Sequence, residues 1–158
     1  SIARHQERTL IFSRTKRGAD RLVDQLSREG LQVGALHGDL AQAQRERSLA
    51  AFASGRQPVL VATDVAARGI HVEGIDVVVH YDPPEDAKAY LHRSGRTARA
   101  GVAGVAVSLV LWDQQLEAER LQKRIGVRQP LVEVFSNDPR LADLAAWDPA
   151  AEAAAAEG

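Results

Sequence analysis

The sequence predicts an α/β domain built in three layers, a mostly parallel sheet of about five to six strands with helices on both faces. Two observations carry this. Several short runs, PVLVAT at 58–63 and IDVVVHY at 75–81 among them, are apolar almost throughout, as strands covered on both faces must be. Between such runs lie segments whose apolar residues recur at three- and four-residue steps, the period of an amphipathic helix.

The elements follow in order. RTLIFS at 8–13 is a short apolar strand, and Ala19, Leu22, Val23 and Leu26 mark a helix that Gly30 stops. LQVGALH at 31–37 reads as the next strand. Asp39 and Gln42 have the spacing of a capping box, opening a helix with Leu49 and Phe52 on its apolar side and Gly55 at its end. The strands at 58–63 and 75–81 come next, the second stopped by DPP at 82–84. A helix from about Asp86 carries Ala87, Tyr90 and Leu91. GVAVSLV at 104–110 is a further strand, Leu116, Leu121 and Ile125 fit a helix, and PLVEVF at 130–135 is a candidate last strand. Residues 1–140 are expected to form the domain. Of the eighteen residues 141–158, nine are alanine, which predicts a frayed helix or a poorly ordered acidic tail or linker.

With 158 residues, 45% of them hydrophobic and 26% charged, the chain is long enough for one domain with a real core. It has no cysteine, which excludes disulfides, thiolate metal sites and a cysteine nucleophile. No apolar run approaches the ~20 residues of a membrane span, and no charged-then-apolar leader opens the sequence. A cytoplasmic location is the default expectation. The net charge of −1 hides a gradient: residues 1–56 hold ten Lys/Arg against six Asp/Glu, and residues 102–158 hold five against nine. A basic first third suits an anionic partner, and a mixed charged surface accounts for it as well.

In a parallel sheet the functional surface lies at the carboxyl ends of the strands. Here those ends carry Ser13-Arg14-Thr15, His37-Gly38-Asp39 and Thr63-Asp64, the last followed by Arg68 and Gly69. Downstream, HRSGRTARAG at 92–101 spaces Arg93, Arg96 and Arg99 three apart. On a helix the three share a face, and planar guanidiniums suit phosphate. A solvated basic face explains the same spacing. No lysine follows a glycine, so the chain has no phosphate-binding loop of the Gly-Lys-Ser/Thr kind. It could supply arginines to a triphosphate without a means of holding one. The five histidines are scattered with no H-E-x-x-H pair, so no metal site is expected, and His80, inside an apolar strand, reads as packed. The seven Phe, Tyr and Trp residues fall mostly in core-like patterns, leaving no base-stacking platform. Nucleic acid would be held through its backbone.

Four segments in order resemble the C-terminal RecA-like domain of the DEAD-box ATP-dependent RNA helicases, in superfamily 2: LIFSRTKRGAD at 10–20, HGDLAQAQRERSLAAF at 37–52, VLVATDVAARGI at 59–70 and YDPPEDAKAYLHRSGRTARAG at 81–101. The resemblance implies ATP with Mg, both held mainly by an absent N-terminal RecA-like domain, and RNA as partner. It implies that Arg96 and Arg99 are arginine fingers and that His92 is catalytic. Arg96, Arg99, Gly69 and His71 would face the nucleotide. Gln42, Arg45 and Thr63, with Gly38 and Asp39 beside them, would hold the RNA backbone. Arg68, Asp64 and His92 would link the nucleotide site to the domain interface, and Phe12 would support the arginine segment. One departure stands out. The family usually has Asp where this chain has His71, so a ribose contact there would be weakened or moved to Glu73. The resemblance also implies that the domain alone is inactive. A catalytically inert RNA-binding or dimerisation module, or half of a DNA helicase, are the alternatives.

Overall fold

The computed structural model describes residues 2–5, 8–97 and 104–158. Among them, five strands form one sheet: β1 (Thr9–Phe12), β2 (Val33–Leu36), β3 (Val59–Ala62), β4 (Val77–His80) and β5 (Val105–Ser108). The strand order is β2-β3-β1-β4-β5, and every neighbouring pair is parallel. The helices are α1 (Ile2–His5), α2 (Lys16–Arg28), α3 (Gln42–Ala53), α4 (Asp64–Ala67), α5 (Ala87–Ser94), α6 (Gln115–Ile125) and α7 (Pro149–Glu157). The parallel α/β architecture is therefore as the apolar runs predict.

Alternation along the strands splits the core into two layers. Leu10, Phe12, Leu60, Ala62 and Val78 face one way, where Phe52 of α3 and Ala66 and Ala67 of α4 cover them. Ile11, Val59, Val61, Val77 and Val79 face the other way, against Ala19 and Leu22 of α2. β1, β3 and β4 are buried along their whole length, whereas β5 at the edge alternates half-buried and exposed residues. Burial on both faces explains why the inner strands carry no polar alternation.

The helix boundaries have local causes. Thr15 Oγ1 accepts from Gly18 N at 2.9 Å and opens α2. Gly30 and Gly55 adopt φ of 85° and 81° past the ends of α2 and α3, a conformation that costs glycine little. α3 corrects the capping expectation. It starts at Gln42, and Gln44 Oε1 accepts from Ala41 N at 3.3 Å. That is half of a capping box displaced by two residues, since an alanine offers no oxygen to complete it. Asp39 is drawn elsewhere, to Lys16.

Two further expectations change. Residues 130–135 form no strand: Leu131, Val132 and Phe135 are exposed, and Val134 alone packs against the core. The sheet has two open edges, at β2 and β5, and among the described residues this segment pairs with neither. Packing does not stop at 140, since Leu141 and Leu144 are buried in the layer beneath α2, with Trp147 against it. An Arg140 guanidinium sits 4.8 Å over the Trp147 ring and pairs with Asp138 and Glu152, and Asp148 caps α7 through Ala150 N and Ala151 N. Ahead of β1 lies the short helix α1.

Candidate functional site

The sheet order sets the site. β3, β1 and β4 are neighbours in register, with Ala62, Phe12 and His80 aligned at their ends. Thr63, Ser13 and Tyr81 therefore stand in a row at the carboxyl edge. Ser13 N donates to Ala62 O at 2.9 Å, and Tyr81 N donates to Phe12 O at 3.1 Å. The loops beyond these residues converge by geometry.

Arg93 is the centre of that convergence. It is 1% exposed and is the largest fully buried side chain among the described residues. Its Nε and Nη2 donate to the two Asp64 oxygens at 2.6 and 2.7 Å, and its Nη1 donates to Asp82 O at 2.7 Å. Its guanidinium lies 5.3 Å from the Phe12 ring centre. A buried guanidinium is tolerated only when its donors are satisfied and its charge is met. Here the segments that follow β3 and β4 do both. Asp82 accepts in turn from Arg14 N at 2.7 Å and Ser13 Oγ at 3.2 Å, tying in the end of β1.

Arg96 is different. α5 ends at Ser94, with Gly95 as C-cap, so Arg96 lies beyond the helix and does not share a face with Arg93. The three-on-one-face expectation fails because the helix stops too soon. Arg96 is half-buried, and its guanidinium bonds only to carbonyl oxygens: Nη1 to Ile70 O at 3.1 Å and Nε to His92 O at 3.2 Å. No carboxylate pairs with it among the described residues. Arg99 lies outside the described residues. His92 is exposed, and its carbonyl serves Arg96.

The other expected nucleotide-side residues lie near this turn. Gly69 is exposed with φ of 77°, and Arg68 and His71 are exposed on either side. His71 follows Ile70, whose carbonyl holds Arg96. Glu73 does not fit the substitute role: its carbonyl accepts from Arg8 Nη1 at 2.6 Å, beside the amino end of β1. The chain there has already crossed to the opposite edge on its way into β4.

A second set gathers at the β2 end. His37 is buried, and its Nε2 lies 2.7 Å from Asp20 Oδ1. Its Nδ1 accepts from Asp39 N at 3.3 Å, which assigns the ring proton to Nε2, donating to Asp20. Lys16 Nζ donates to Asp39 Oδ1 at 2.7 Å and holds that carboxyl below the usual carboxylate range. Gly38 is exposed beside the Lys16 stem, whose Cε would lie 3.4 Å from an added Cβ. At the start of α3, Gln42 Nε2 donates to Glu46 at 3.3 Å and Arg45 is half-buried. Thr63 is buried at the end of β3, between the two sets.

The sequence groups Arg93 with Arg96 and Arg99 as a basic face and counts Leu91 among the apolar residues of α5. In fact Leu91 is 58% exposed, and Arg93 and Thr97 are buried. The available signal was phase: Tyr90, Arg93 and Thr97 recur at three- and four-residue steps, so a polar residue occupies an inward position.

Fold and edge together define a RecA-like α/β domain that presents arginines in place of a phosphate-binding loop. The model of the helicase conserved C-terminal domain matches residues 2–101. The mitochondrial DEAD-box ATP-dependent RNA helicase 9 of Arabidopsis thaliana is 46% identical over 119 residues, 75% of this chain and 19% of that protein. Among solved structures, Saccharomyces cerevisiae Dbp5 bound to RNA and ADP BeF3 superposes with a TM-score of 0.73 at 37% identity, over 81% of this chain and 34% of that one. Escherichia coli SrmB bound to the regulator of ribonuclease activity A gives 0.75 at 35% identity, over 83% and 76%. The chain belongs to the helicase C-terminal domain family and is the C-terminal RecA-like domain of a DEAD-box helicase. It spans about a fifth to a quarter of the length of the curated relatives it matches.

Proposed function

We propose that this domain is the second half of the motor core of an ATP-dependent RNA helicase. In this reading Arg96 and Arg99 meet the phosphates of ATP held, with Mg, mainly by an N-terminal RecA-like domain. The RNA backbone is met by Gly38, Asp39, Gln42, Arg45 and Thr63. Arg68, Asp64 and His92 transmit between the two, and His71 lies at the nucleotide side. ATP supplies the phosphoryl group when bound. The residues of this chain supply charge and position.

The observation that carries the reading is the contrast between two arginines three residues apart. The charge of Arg93 is spent on Asp64 inside the fold. The guanidinium of Arg96 is held in place by two carbonyl oxygens, with no carboxylate paired to it among the described residues. A fixed, half-exposed guanidinium at the carboxyl edge fits an anionic ligand. A structural role would have consumed its charge, as it has for Arg93. The names of the relatives, which are ATP-dependent RNA helicases, support the same reading.

The test is Arg96→Ala in the full-length helicase. RNA-stimulated ATP turnover should fall at least a hundredfold, the usual range for a lost transition-state charge contact (about 10²–10³), with RNA affinity nearly unchanged. Turnover that survives intact would favour an inert binding module of the same fold.

A further inference from the structure

We infer that His80 is a positioning residue for Arg96, acting through Ser94. The inference rests on the nucleotide-facing role proposed for Arg96. His80 closes β4, is fully buried, and stacks its ring on Tyr90 of α5 at 4.9 Å and 10°. Its Nε2 lies 3.1 Å from Ser94 Oγ. Its Nδ1 has no hydrogen-bond partner among the described residues. Were the ring proton on Nδ1, a buried donor would be orphaned, a costlier state than a bare acceptor. The proton therefore sits on Nε2 and is donated to the Ser94 hydroxyl.

Ser94 is the last residue of α5, and the turn that follows carries Arg96. That turn is pinned at both ends. On one side His80 fixes Ser94 to the sheet. On the other, Thr97 is buried and its Oγ1 donates to Ile75 O at 2.7 Å. Between them, Arg96 N donates to Arg93 O at 3.1 Å and Thr97 N to Ser94 O at 3.2 Å. The stem of Arg96 is thus suspended between two buried anchors, and its head rests on Ile70 O. A guanidinium displaced by an ångström loses much of its value to a developing charge. An apolar side chain at 80 would fill the strand position equally well for burial alone. The specific return for a buried imidazole is the bond to Ser94. Burial, assisted by the nearby Arg93 charge, lowers the His80 pKa to about 4, so the ring stays neutral and keeps this single-donor arrangement near neutrality.

The test uses the full-length helicase and four variants. His80→Phe keeps the ring and its stack on Tyr90 but removes the donor. Ser94→Ala removes the acceptor. Ser94→Thr restores a hydroxyl. Each of the first two should lower kcat for RNA-stimulated ATP hydrolysis roughly three- to tenfold, the range set by one hydrogen bond. The Kd for RNA should hold, and the unfolding midpoint should fall by no more than the loss of one buried hydrogen bond allows. His80→Phe/Ser94→Ala should be no slower than either single variant, because both act on one bond. Ser94→Thr should stay within about twofold of the parent. Unchanged kcat in Ser94→Ala, additive losses in the double variant, or a kcat that returns to the parent's when turnover is measured well below the unfolding midpoint would each overturn the inference. Arg96→Ala, measured alongside, separates the two ideas. If it spares turnover, the role of Arg96 fails; if it abolishes turnover and the His80 and Ser94 variants are silent, only the positioning role fails.

Discussion

Asp64→Asn isolates the interaction that holds the site together. The substitution keeps size and shape but replaces one accepting oxygen with an NH2 group. Arg93 presents Nε and Nη2 to Asp64 at 2.6 and 2.7 Å, so one of these donors then faces a donor. The guanidinium, 1% exposed, also loses its counter-charge. Breaking a buried ion pair from one side costs about 3–5 kcal/mol. Asp64 itself is 38% exposed, so water can compensate in part, which places the cost near the lower bound, about 3 kcal/mol. With a urea m-value of about 2 kcal/mol/M for a domain of this size, the denaturation midpoint should fall by about 1.5 M. A companion variant checks the cause. Asp64→Asn combined with Arg93→Met removes both charges and should recover part of the loss, because the remaining penalty of an unpaired buried charge is gone. A midpoint shift below roughly 0.3 M for Asp64→Asn, under 1 kcal/mol on the same scale, would mean that water satisfies Arg93 and would refute the account of the site as a closed ionic core.

Three other outcomes follow from the same geometry. His80 has a folded pKa of about 4 against 6.5 unfolded, so the unfolded chain binds the extra proton first as pH falls. The stability linked to His80 is then full above about pH 6.5 and is lost down to about pH 4, some 3 kcal/mol in all; urea titrations at stepped pH should show this slope, and its persistence in His80→Phe would assign it elsewhere. His71→Asp in the full-length helicase should lower the KM for ATP if position 71 faces the ribose, and an unchanged KM would remove that role. In Lys16→Ala the Asp39 carboxyl should titrate closer to its ordinary value, read by NMR, since Lys16 is the main cause of its depression; no change would show that the 2.7 Å pair does not persist in solution.

The parallel sheet was legible because burial on both faces writes itself into a strand as an unbroken apolar run. Val59–Ala62 and Val77–His80 are buried throughout, and both were readable. Boundaries set by one side chain were less so. Asp39 and Gln42 have capping-box spacing, yet Lys16, twenty-three residues earlier, claims the Asp39 carboxylate. Competition between a local and a distant partner is invisible to spacing. The 130–135 run failed for another reason: alternation shows which side chains a core would take, not whether the backbone pairs, and this segment joins neither open edge, β2 nor β5. The burial of Arg93 was not legible, because an arginine reads as surface by type, and only a partner from a different loop, Asp64, meets its charge inside the fold. The opposite error touched Arg96, whose charge alone could not distinguish a solvated face from a ligand site. The decisive fact was that its bonds go to carbonyl oxygens.

The strand order also explains how the two halves of the edge can communicate. β3 lies between β2 and β1. Its end therefore separates the His37–Asp39 loop from the loops that enclose Arg93. Lys16, from the start of α2 beyond β1, reaches across that gap to Asp39. Thr63 and Asp64, adjacent in the chain, consequently belong to different neighbourhoods. Thr63 closes β3, its amide donating to Leu36 O at 3.1 Å on the β2 side, while Asp64 is gripped by Arg93 on the β4 side. On the proposed function, the first is an RNA contact and the second anchors the arginine segment. One peptide bond joins them. Shifting Thr63 alone would have to loosen the Asp64–Arg93 pair, at a cost of the order of 3 kcal/mol, the upper end of the 1–3 kcal/mol typical of a coupling free energy between two sites. The economical motion is for the whole edge to move as a unit. Closure against a first domain would then bring the RNA-side and nucleotide-side residues into place together, so that either ligand favours the same arrangement.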